Sequence, residues 1–240
     1  MRTIKGVVLA GGTGARLSPL TQVTNKHLLP VGDKPMILHP LGKLVEAGIT
    51  EIMVVTSAGH MGAVMELLGS GKAYGAHLSY RVQDEPGGIA QALGLCERFV
   101  GADDCCVVLG DNIFSGDLQS AVETFLWERN EGSGALLMIK RVPDPCRYGV
   151  VEFNGKEIIR IVEKPVVAPS DYAVTGIYFY DSTVFEIIRT LRPSGRGELE
   201  ITDVNNVYIG DGRMRWVEMF GEWTDAGTFA SLRKANEMAQ

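Results

Sequence analysis

The chain has 240 residues, enough for one large domain or two small ones, and its 45% hydrophobic and 22% charged residues are typical of a folded protein. Twenty-nine acidic residues against 23 Lys and Arg give a net charge of −6, which excludes a general attraction for nucleic acid or an anionic membrane surface. The four cysteines lack C-x-x-C spacing, the first apolar run is short, and no run of about 18 apolar residues occurs. We therefore expect a cytoplasmic protein without a membrane span.

The first part of the chain alternates short apolar runs with amphipathic segments. The runs predict strands at 4–9, 51–55, 78–83, 105–109 and 135–141, and the amphipathic segments predict helices at 36–46, 61–68, 89–99 and 118–130. Strands that alternate with helices favour parallel pairing with helices on both faces. The predicted fold class is α/β, a three-layer sandwich with a mixed, largely parallel central sheet.

The second part is richer in strands. Predicted strands at 149–153, 157–162 and 172–180 are followed by helices at 183–190 and 202–209, a strand at 214–219 and a helix from Thr228. Asn154-Gly155 between the first two of these strands predicts a hairpin. No linker or repeat separates the two parts, so we predict a single domain, 1–240, with parts 1–147 and 148–240.

A glycine-rich turn follows the first predicted strand. Glycine makes up 29 of the 240 residues, or 12%, against a usual value of about 7%. The segment Gly11-Gly12-Thr13-Gly14 would present successive backbone N–H groups, which suit phosphate oxygens, and Arg16 and Lys26 would add positive charge. The segment is neither a Walker loop nor a dinucleotide fingerprint. A plain tight turn with solvated basic residues is the alternative.

The motif around this turn belongs to a longer series of segments. Residues 9–21 read L-A-G-G-x-G-x-R-L-x-P-L-T, and residues 25–31 read N-K-x-L-L-P-V. On these segments the chain resembles the sugar-nucleotide pyrophosphorylase family and, within it, the members that transfer a thymidylyl group to glucose 1-phosphate. Further matching segments are 33–37, 47–49, 83–92, 109–112, 147–151, 163–165, 172–176, 196–203 and 223–228.

The resemblance implies both a fold and a reaction. The fold would be that of the nucleotide-diphospho-sugar transferases, with residues 1–147 mainly binding the nucleotide and 148–240 mainly binding the sugar. The substrates would be dTTP and α-D-glucose 1-phosphate, and the products dTDP-glucose and pyrophosphate. We expect dTTP to bind first, followed by direct in-line attack. Because both reactants are anionic, charge cancellation would be the main catalytic task.

The nucleotide site follows from the same resemblance. Arg16, Lys26 and Lys164 would be catalytic, and the Gln83 amide, which both donates and accepts, would pair with a pyrimidine edge. Gln83 could instead be a surface strand residue, and His27, where many relatives carry Gln, could contact the nucleotide or face solvent. The predicted nucleotide-binding residues are Leu9, Gly11, Gly12, Thr13, Gly14, Ala15, Arg16, Lys26, Gln83, Pro86, Gly88 and Asp111.

Two aspartates are candidates for a metal site. Asp111 follows a predicted strand directly, at the position where α/β sheets place their ligands, and Asp225 lies in the turn 223–228. Mg²⁺ usually takes one or two carboxylates together with phosphate oxygens, so the resemblance implies a Mg²⁺ cofactor held by this pair. Without the resemblance, both would be interpreted as turn or cap aspartates.

The sugar site is also implied by the resemblance. Lys164 would neutralise the sugar phosphate, and Glu163 would accept hydrogen bonds from sugar hydroxyls; a surface ion pair is the alternative for these neighbours. The predicted sugar-binding residues are Asn112, Tyr148, Gly149, Glu163, Lys164 and Val174.

Other functions remain open at this point. The same scaffold could use UTP or another nucleotide with other sugar 1-phosphates, and a pyrimidine pocket discriminates a methyl group by only ~1–3 kcal/mol. A catalytically silent nucleotide-binding subunit is a further alternative. The resemblance implies a homo-oligomer, and the short C-terminal part resembles the form of the family that lacks a regulatory extension. We expect no nucleic-acid or membrane partner.

Overall fold

A nine-stranded β-sheet lies at the centre of the computed structural model, which describes residues 3–12 and 14–240. Two further pairs of strands form small antiparallel ribbons, residues 30–31 with 34–35 and residues 112–114 with 223–225. The strands are β1 (Ile4–Leu9), β2 (Pro30–Val31), β3 (Lys34–Pro35), β4 (Glu51–Ser57), β5 (His77–Gln83), β6 (Asp104–Leu109), β7 (Asn112–Phe114), β8 (Ala135–Arg141), β9 (Gly149–Asn154), β10 (Glu157–Glu163), β11 (Tyr172–Tyr180), β12 (Met214–Glu218) and β13 (Trp223–Asp225).

The sheet is mixed but largely parallel, as predicted. Strands β5, β4, β1 and β6 are neighbours in that order and run parallel. Strand β11 is antiparallel to β6, β8 and β9, and β10 is antiparallel to β9, while β12 is parallel to β8. Seven of the nine strands therefore run in one direction, and only β10 and β11 run in the other.

Helices cover both faces of the sheet and complete three layers. Alternate residues of β1 enter different cores: Val7 belongs to the core on one face of the sheet and Val8 to the core on the other face. A smaller apolar cluster lies under the C-terminal helix. The helices are α1 (Leu38–Glu46), α2 (Met61–Leu68), α3 (Ile89–Gly94), α4 (Glu97–Val100), α5 (Gln119–Asn130), α6 (Val184–Thr190), α7 (Ile201–Gly210) and α8 (Phe229–Met238).

The predicted elements are present, with two differences. The helix predicted at 89–99 is broken into α3 and α4 near Gly94, where the Cys96 N–H bonds the Leu93 carbonyl at 2.8 Å in a 3₁₀-type turn. The ribbon of β7 and β13 was not predicted, because it joins two three-residue segments more than 100 residues apart. Among the described residues, no helix has the length and apolar character needed to cross a membrane.

A fork in the sheet opens beside the end of β6. One edge of β11 pairs with β6 at residues 177–180 and with β9 at Ala173. Strands β6 and β9 therefore occupy different positions along the same edge of β11. The register of β11 shifts between Val174 and Tyr178, and Gly176 lies within this irregular stretch. A Cβ at Gly176 would overlap Leu109 and Asn112, so only glycine fits here. The fork leaves a cleft at the carboxyl ends of the parallel strands, where α/β sheets place ligands.

Candidate active site

The glycine-rich turn forms one wall of a cavity at the end of β1. Gly12 has a φ of +93°, which favours glycine, and a Cβ at Gly11 would lie 2.7 Å from Oε1 of Gln83. Gly14 has a φ of +64° and precedes a short 3₁₀ helix, Ala15–Leu17, that directs the Arg16 side chain into the cavity. Thr13 lies outside the described residues.

The predicted nucleotide-binding residues largely meet in this cavity, which we call the nucleotide cavity. Gly14 and Ala15 support the turn without lining the cavity. Predicted residues in its wall are Leu9, Gly11, Gly12, Arg16, Lys26, Gln83, Pro86, Gly88 and Asp111. His27, Ile89, Ala92, Leu109 and Glu198 complete the lining.

A second cavity, which we call the sugar cavity, lies in the fork of the sheet. Its lining includes all six predicted sugar-binding residues, Asn112, Tyr148, Gly149, Glu163, Lys164 and Val174, and also Asp225. Arg16 and Asp111 line both cavities. Ile89, Leu109 and Glu198 line both as well, so the two cavities adjoin, and molecules bound in them would be neighbours.

Lys26 and Asp111 form a tight ion pair at this junction. Lys26 Nζ lies 2.6 Å from Oδ2 of Asp111, and both side chains are largely buried. Burial by itself would raise the pKa of the Asp111 carboxyl. The Lys26 ammonium and hydrogen bonds from Lys26 and Asn112 outweigh burial and hold this pKa well below its usual range. Asp111 is therefore a carboxylate at every working pH.

Asp225 brings a second carboxylate toward Asp111. It pairs with Asn112 across the β7–β13 ribbon, and the backbone N–H of Ala226 donates to the Asp111 carbonyl at 2.8 Å. Burial and the Asp111 charge raise the pKa of Asp225. Tyr148 Oη donates to Asp225 Oδ1 at 3.0 Å, and Arg147 lies 3.3 Å from the same oxygen.

These two aspartates fit a hard divalent cation. The Asp111 charge raises the free energy of the ionised form of Asp225, and a divalent cation held by both carboxylates would relieve this repulsion. Oxygen donors of this kind are the ligands that Mg²⁺ prefers. Among the described residues, no group of three or more His, Cys, Asp or Glu side chains forms a complete protein-only metal site. Phosphate oxygens would have to supply further ligands.

Asn112 connects three strands below the junction. Its Oδ1 accepts hydrogen bonds from Gly176 N–H at 3.0 Å and from the Trp223 indole N–H at 2.7 Å. Its Nδ2 donates to Asp111 Oδ1 at 3.1 Å. This buried amide therefore orients Asp111 and ties β7 to β11 and β13, a positioning role that the sequence did not reveal.

Lys164 adopts an unusual backbone conformation at the end of β10. Its φ is +42°, and it is the one non-glycine with a positive φ among the described residues. Its backbone N–H donates to the Tyr148 carbonyl at 2.9 Å, and its half-exposed side chain lies 3.6 Å from Glu163. A lysine in this conformation costs ~1 kcal/mol or more, and such strain clusters at functional sites.

The segment 194–202 supplies residues that sequence reasoning did not single out. Arg196 bonds Glu200 through Nε at 3.1 Å and Nη2 at 2.7 Å, and Thr202 Oγ1 donates to Glu163 Oε2 at 2.6 Å. Arg196, Glu200 and Thr202 line the sugar cavity, as do Arg147 and Trp223. The only signal for them was their presence in the matching segments 147–151, 196–203 and 223–228.

His27 is buried and does not face solvent. Only 1% of it is exposed, and it lines the nucleotide cavity. Its Nδ1 lies 2.7 Å from Oδ1 of Asn25, an oxygen that can only accept, so Nδ1 carries the proton. Burial and the adjacent Lys26 lower the pKa of His27 to about 3. The ring is therefore neutral at physiological pH.

Comparison with known proteins agrees with this geometry. The model of a family described as nucleotidyl transferase matches residues 5–240. The chain is 46% identical to a glucose-1-phosphate thymidylyltransferase of Neisseria meningitidis, over 99% of the chain and 83% of the relative. It is 44% identical to one of Mycobacterium tuberculosis, over 99% and 82%.

Solved structures with the same fold are similar over nearly the whole chain. A Bacillus anthracis protein assigned as a glucose-1-phosphate thymidylyltransferase, crystallised with sucrose, superposes with a TM-score of 0.94 at 56% identity, over 99% of this chain and 95% of that one. A UDP-glucose pyrophosphorylase in complex with UDP-glucose has a TM-score of 0.86 at 25% identity, over 98% of each chain.

Proposed function

The chain belongs to the nucleotidyl transferase family, and we propose that it transfers the thymidylyl group of dTTP to α-D-glucose 1-phosphate. An oxygen of the sugar phosphate forms a bond to the α-phosphorus, and the bond from that phosphorus to the β-phosphate oxygen breaks. The products are dTDP-glucose and pyrophosphate. The names of the curated relatives support these substrates.

One observation carries the proposal: the nucleotide and sugar cavities share Arg16 and Asp111. A triphosphate on the glycine turn and a sugar phosphate in the fork would bring their phosphates together there. Holding both reactants at this junction converts a bimolecular reaction into an effectively unimolecular one.

Cationic side chains on both sides of the junction would offset the negative charge of the triphosphate and of the sugar phosphate. Arg16 would bind oxygens of the α-phosphate and of the departing pyrophosphate, and Lys26 would contact the triphosphate from its position on Asp111. Lys164 would hold the sugar phosphate from the opposite side. Direct attack then requires no covalent intermediate on the protein.

Asp111 and Asp225 are the residues that would hold a metal. Nucleotidyl transferases are generally dependent on a divalent metal, and we propose Mg²⁺ for this chain. When bound there, Mg²⁺ would supply Lewis-acid neutralisation of the phosphate oxygens. The protein's own part is to keep Asp111 ionised through Lys26 and Asn112, and to hold Asp225 in place through Tyr148.

The sugar contacts remain a proposal built from the lining of the fork. Glu163, oriented by Thr202, would accept hydrogen bonds from sugar hydroxyls. Gly149 lies close to both of these side chains, so backbone groups at this point can approach a bound sugar. We also propose that the protein self-associates and acts without nucleic-acid or membrane partners.

The test is pyrophosphate release from purified protein with Mg²⁺. The five nucleotides dTTP, UTP, CTP, ATP and GTP are each combined with several sugar 1-phosphates. We expect release only when both substrates are present, fastest with dTTP and glucose 1-phosphate. Faster release with another nucleotide would reassign the substrate while keeping the reaction. Binding of nucleotide without release in any combination would instead support a catalytically silent subunit.

A further inference from the structure

Gln91 in the first turn of α3 holds the Gln83 side chain in one orientation. Gln83 Nε2 donates to Gln91 Oε1 at 2.7 Å and to the Gly88 carbonyl at 3.2 Å. Both hydrogens of that amide are therefore used within the protein. This differs from the sequence expectation that the Gln83 amide would both donate to a base and accept from it.

The orientation of both amides follows from backbone groups whose roles are unambiguous. The Gly87 N–H can only donate, and it bonds Gln91 Oε1 at 3.2 Å, which identifies that atom as the oxygen. The Gly88 carbonyl can only accept, so the Gln83 atom beside it must be the nitrogen. Gln83 Oε1 then lies on the other side, against Gly11 in the nucleotide cavity.

Close packing maintains this arrangement. A Cβ at Gly87 would overlap the Gln91 amide, and a Cβ at Gly11 would lie 2.7 Å from Gln83 Oε1. Among the described residues, no donor bonds Gln83 Oε1. At this point the Gln83 side chain therefore presents an acceptor to the nucleotide cavity and no N–H donor.

An acceptor at this point distinguishes pyrimidines by the atom at ring position 3. Thymine and uracil carry N3–H, which donates, whereas cytosine has a lone pair at N3. A cytosine in the same pose would place that lone pair against Gln83 Oε1, and an unmatched buried polar pair is costly. The oriented Gln83 amide thus rejects cytosine through the contact at ring position 3 alone.

We propose that Gln91 is a positioning residue that sets nucleotide specificity, by holding Gln83 so that it presents only its oxygen to the base. The inference rests on the proposed function, because it concerns the base of the triphosphate substrate. Without the Gln91 acceptor, the Gln83 amide keeps only the longer bond to the Gly88 carbonyl. The amide can then turn and offer its N–H₂ to N3 of cytosine.

The experiment compares kcat/KM for dTTP with kcat/KM for dCTP, both with saturating glucose 1-phosphate. Gln91→Met keeps the side-chain length but removes the acceptor, and Gln91→Glu keeps an acceptor for both Gly87 N–H and Gln83. We expect Gln91→Met to lower the dTTP-to-dCTP ratio about tenfold, the effect of one misplaced hydrogen bond, mainly through a higher KM for dTTP. Gln91→Glu should retain the wild-type ratio even if its charge slows both reactions. Gln119→Met, at an exposed glutamine of α5, is the matched control.

The outcomes separate this inference from the proposed function. An active wild-type enzyme whose ratio is unchanged in Gln91→Met overturns the role of Gln91 alone. Equal loss of the ratio in Gln91→Met and Gln91→Glu overturns it too, because the acceptor would then be irrelevant. A wild-type enzyme inactive with dTTP refutes the proposed function, and the inference with it. If Gln91→Met does not fold, Gln91→Asn, which is too short to reach Gln83, is measured in its place.

Discussion

The two aspartates at the junction, Asp111 and Asp225, each contact a cationic side chain. Lys26 keeps Asp111 ionised, while Tyr148 and Arg147 contact the Asp225 carboxyl from the opposite side. Five cations, Arg16, Lys26, Arg147, Lys164 and Arg196, line the two cavities. Carboxylates are equally numerous in the same lining, so the contribution of each charged residue has to be tested individually.

Asp111→Asn tests the carboxylate at the junction. The change removes the partner of Lys26 and one proposed metal ligand while keeping the side-chain shape. We expect kcat for pyrophosphate release to fall by roughly 10²–10³-fold, the usual cost of losing one preorganised charge-stabilising group. Far-UV circular dichroism should be unchanged. Asp117→Asn, at an exposed aspartate between β7 and α5, is the control. Activity of Asp111→Asn within tenfold of wild type would contradict the assignment.

Lys164→Ala tests the sugar-phosphate end of the site. Because a charge-assisted contact would be lost, we expect the KM for glucose 1-phosphate to rise about 10- to 100-fold and kcat to fall. Initial rates at varied sugar phosphate and fixed dTTP give both constants. Lys156→Ala, at an exposed lysine in the β9–β10 hairpin, should behave as wild type. A change confined to the KM for dTTP would show that Lys164 acts on the nucleotide and not on the sugar phosphate.

His27 makes stability depend on pH. Burial lowers its pKa to about 3, whereas the unfolded chain has the ordinary value of 6.5. As the pH falls below 6.5, only the unfolded state binds this proton, so the free energy of unfolding falls. From pH 7 to pH 5 this amounts to about 2 kcal/mol.

The corresponding variant is His27→Gln, which has no proton to bind in this range. Urea unfolding at pH 7 and pH 5 should show a loss of stability on acidification smaller than that of wild type by the amount given above. His77→Gln, at an exposed histidine, should lose as much stability between pH 7 and pH 5 as wild type does. Equal acid sensitivity of wild type and His27→Gln would show that the imidazole is protonated in the folded protein.

At the level of elements, the β7–β13 ribbon depends on one amide. Asn112→Ala would leave the Gly176 N–H and the Trp223 indole N–H without their acceptor. Each unsatisfied buried donor costs ~1–3 kcal/mol, so we expect the free energy of unfolding to fall by about 2–6 kcal/mol. Chemical denaturation measures this loss. Asn130→Ala, at an exposed residue of α5, is the control. Equal stability of the two variants would show that the Asn112 side chain does not stabilise the fold.

The elements differ in how far the sequence predicts them. Strands such as 4–9 and 172–180 were predicted with the observed bounds, because long apolar runs identify strands buried on both faces. The three-residue strands of the β7–β13 ribbon carry no such pattern. Their pairing depends on Asn112 and Trp223, which are more than 100 residues apart. Local periodicity cannot contain that information.

At the level of the whole molecule, the two parts of the chain share one sheet. Strand β11, from the second part, pairs with β6 and β8, which belong to the first. We therefore expect residues 1–147 and 148–240 to unfold together as the predicted single domain. Circular dichroism at 222 nm and tryptophan fluorescence should give one coincident urea transition. Two transitions at separate urea concentrations would divide the chain into two domains.

The sequence by itself determined the order of strands and helices, the glycine turn and the residues that belong to the family's segments. Those features are encoded in contiguous residues, through periodicity and local backbone requirements. Tertiary structure alone decided that the nucleotide and sugar cavities meet at Arg16 and Asp111, that Asn112 ties three strands together and that Gln91 orients Gln83. These relations join residues from separate elements, and only the forked sheet brings them within hydrogen-bonding distance.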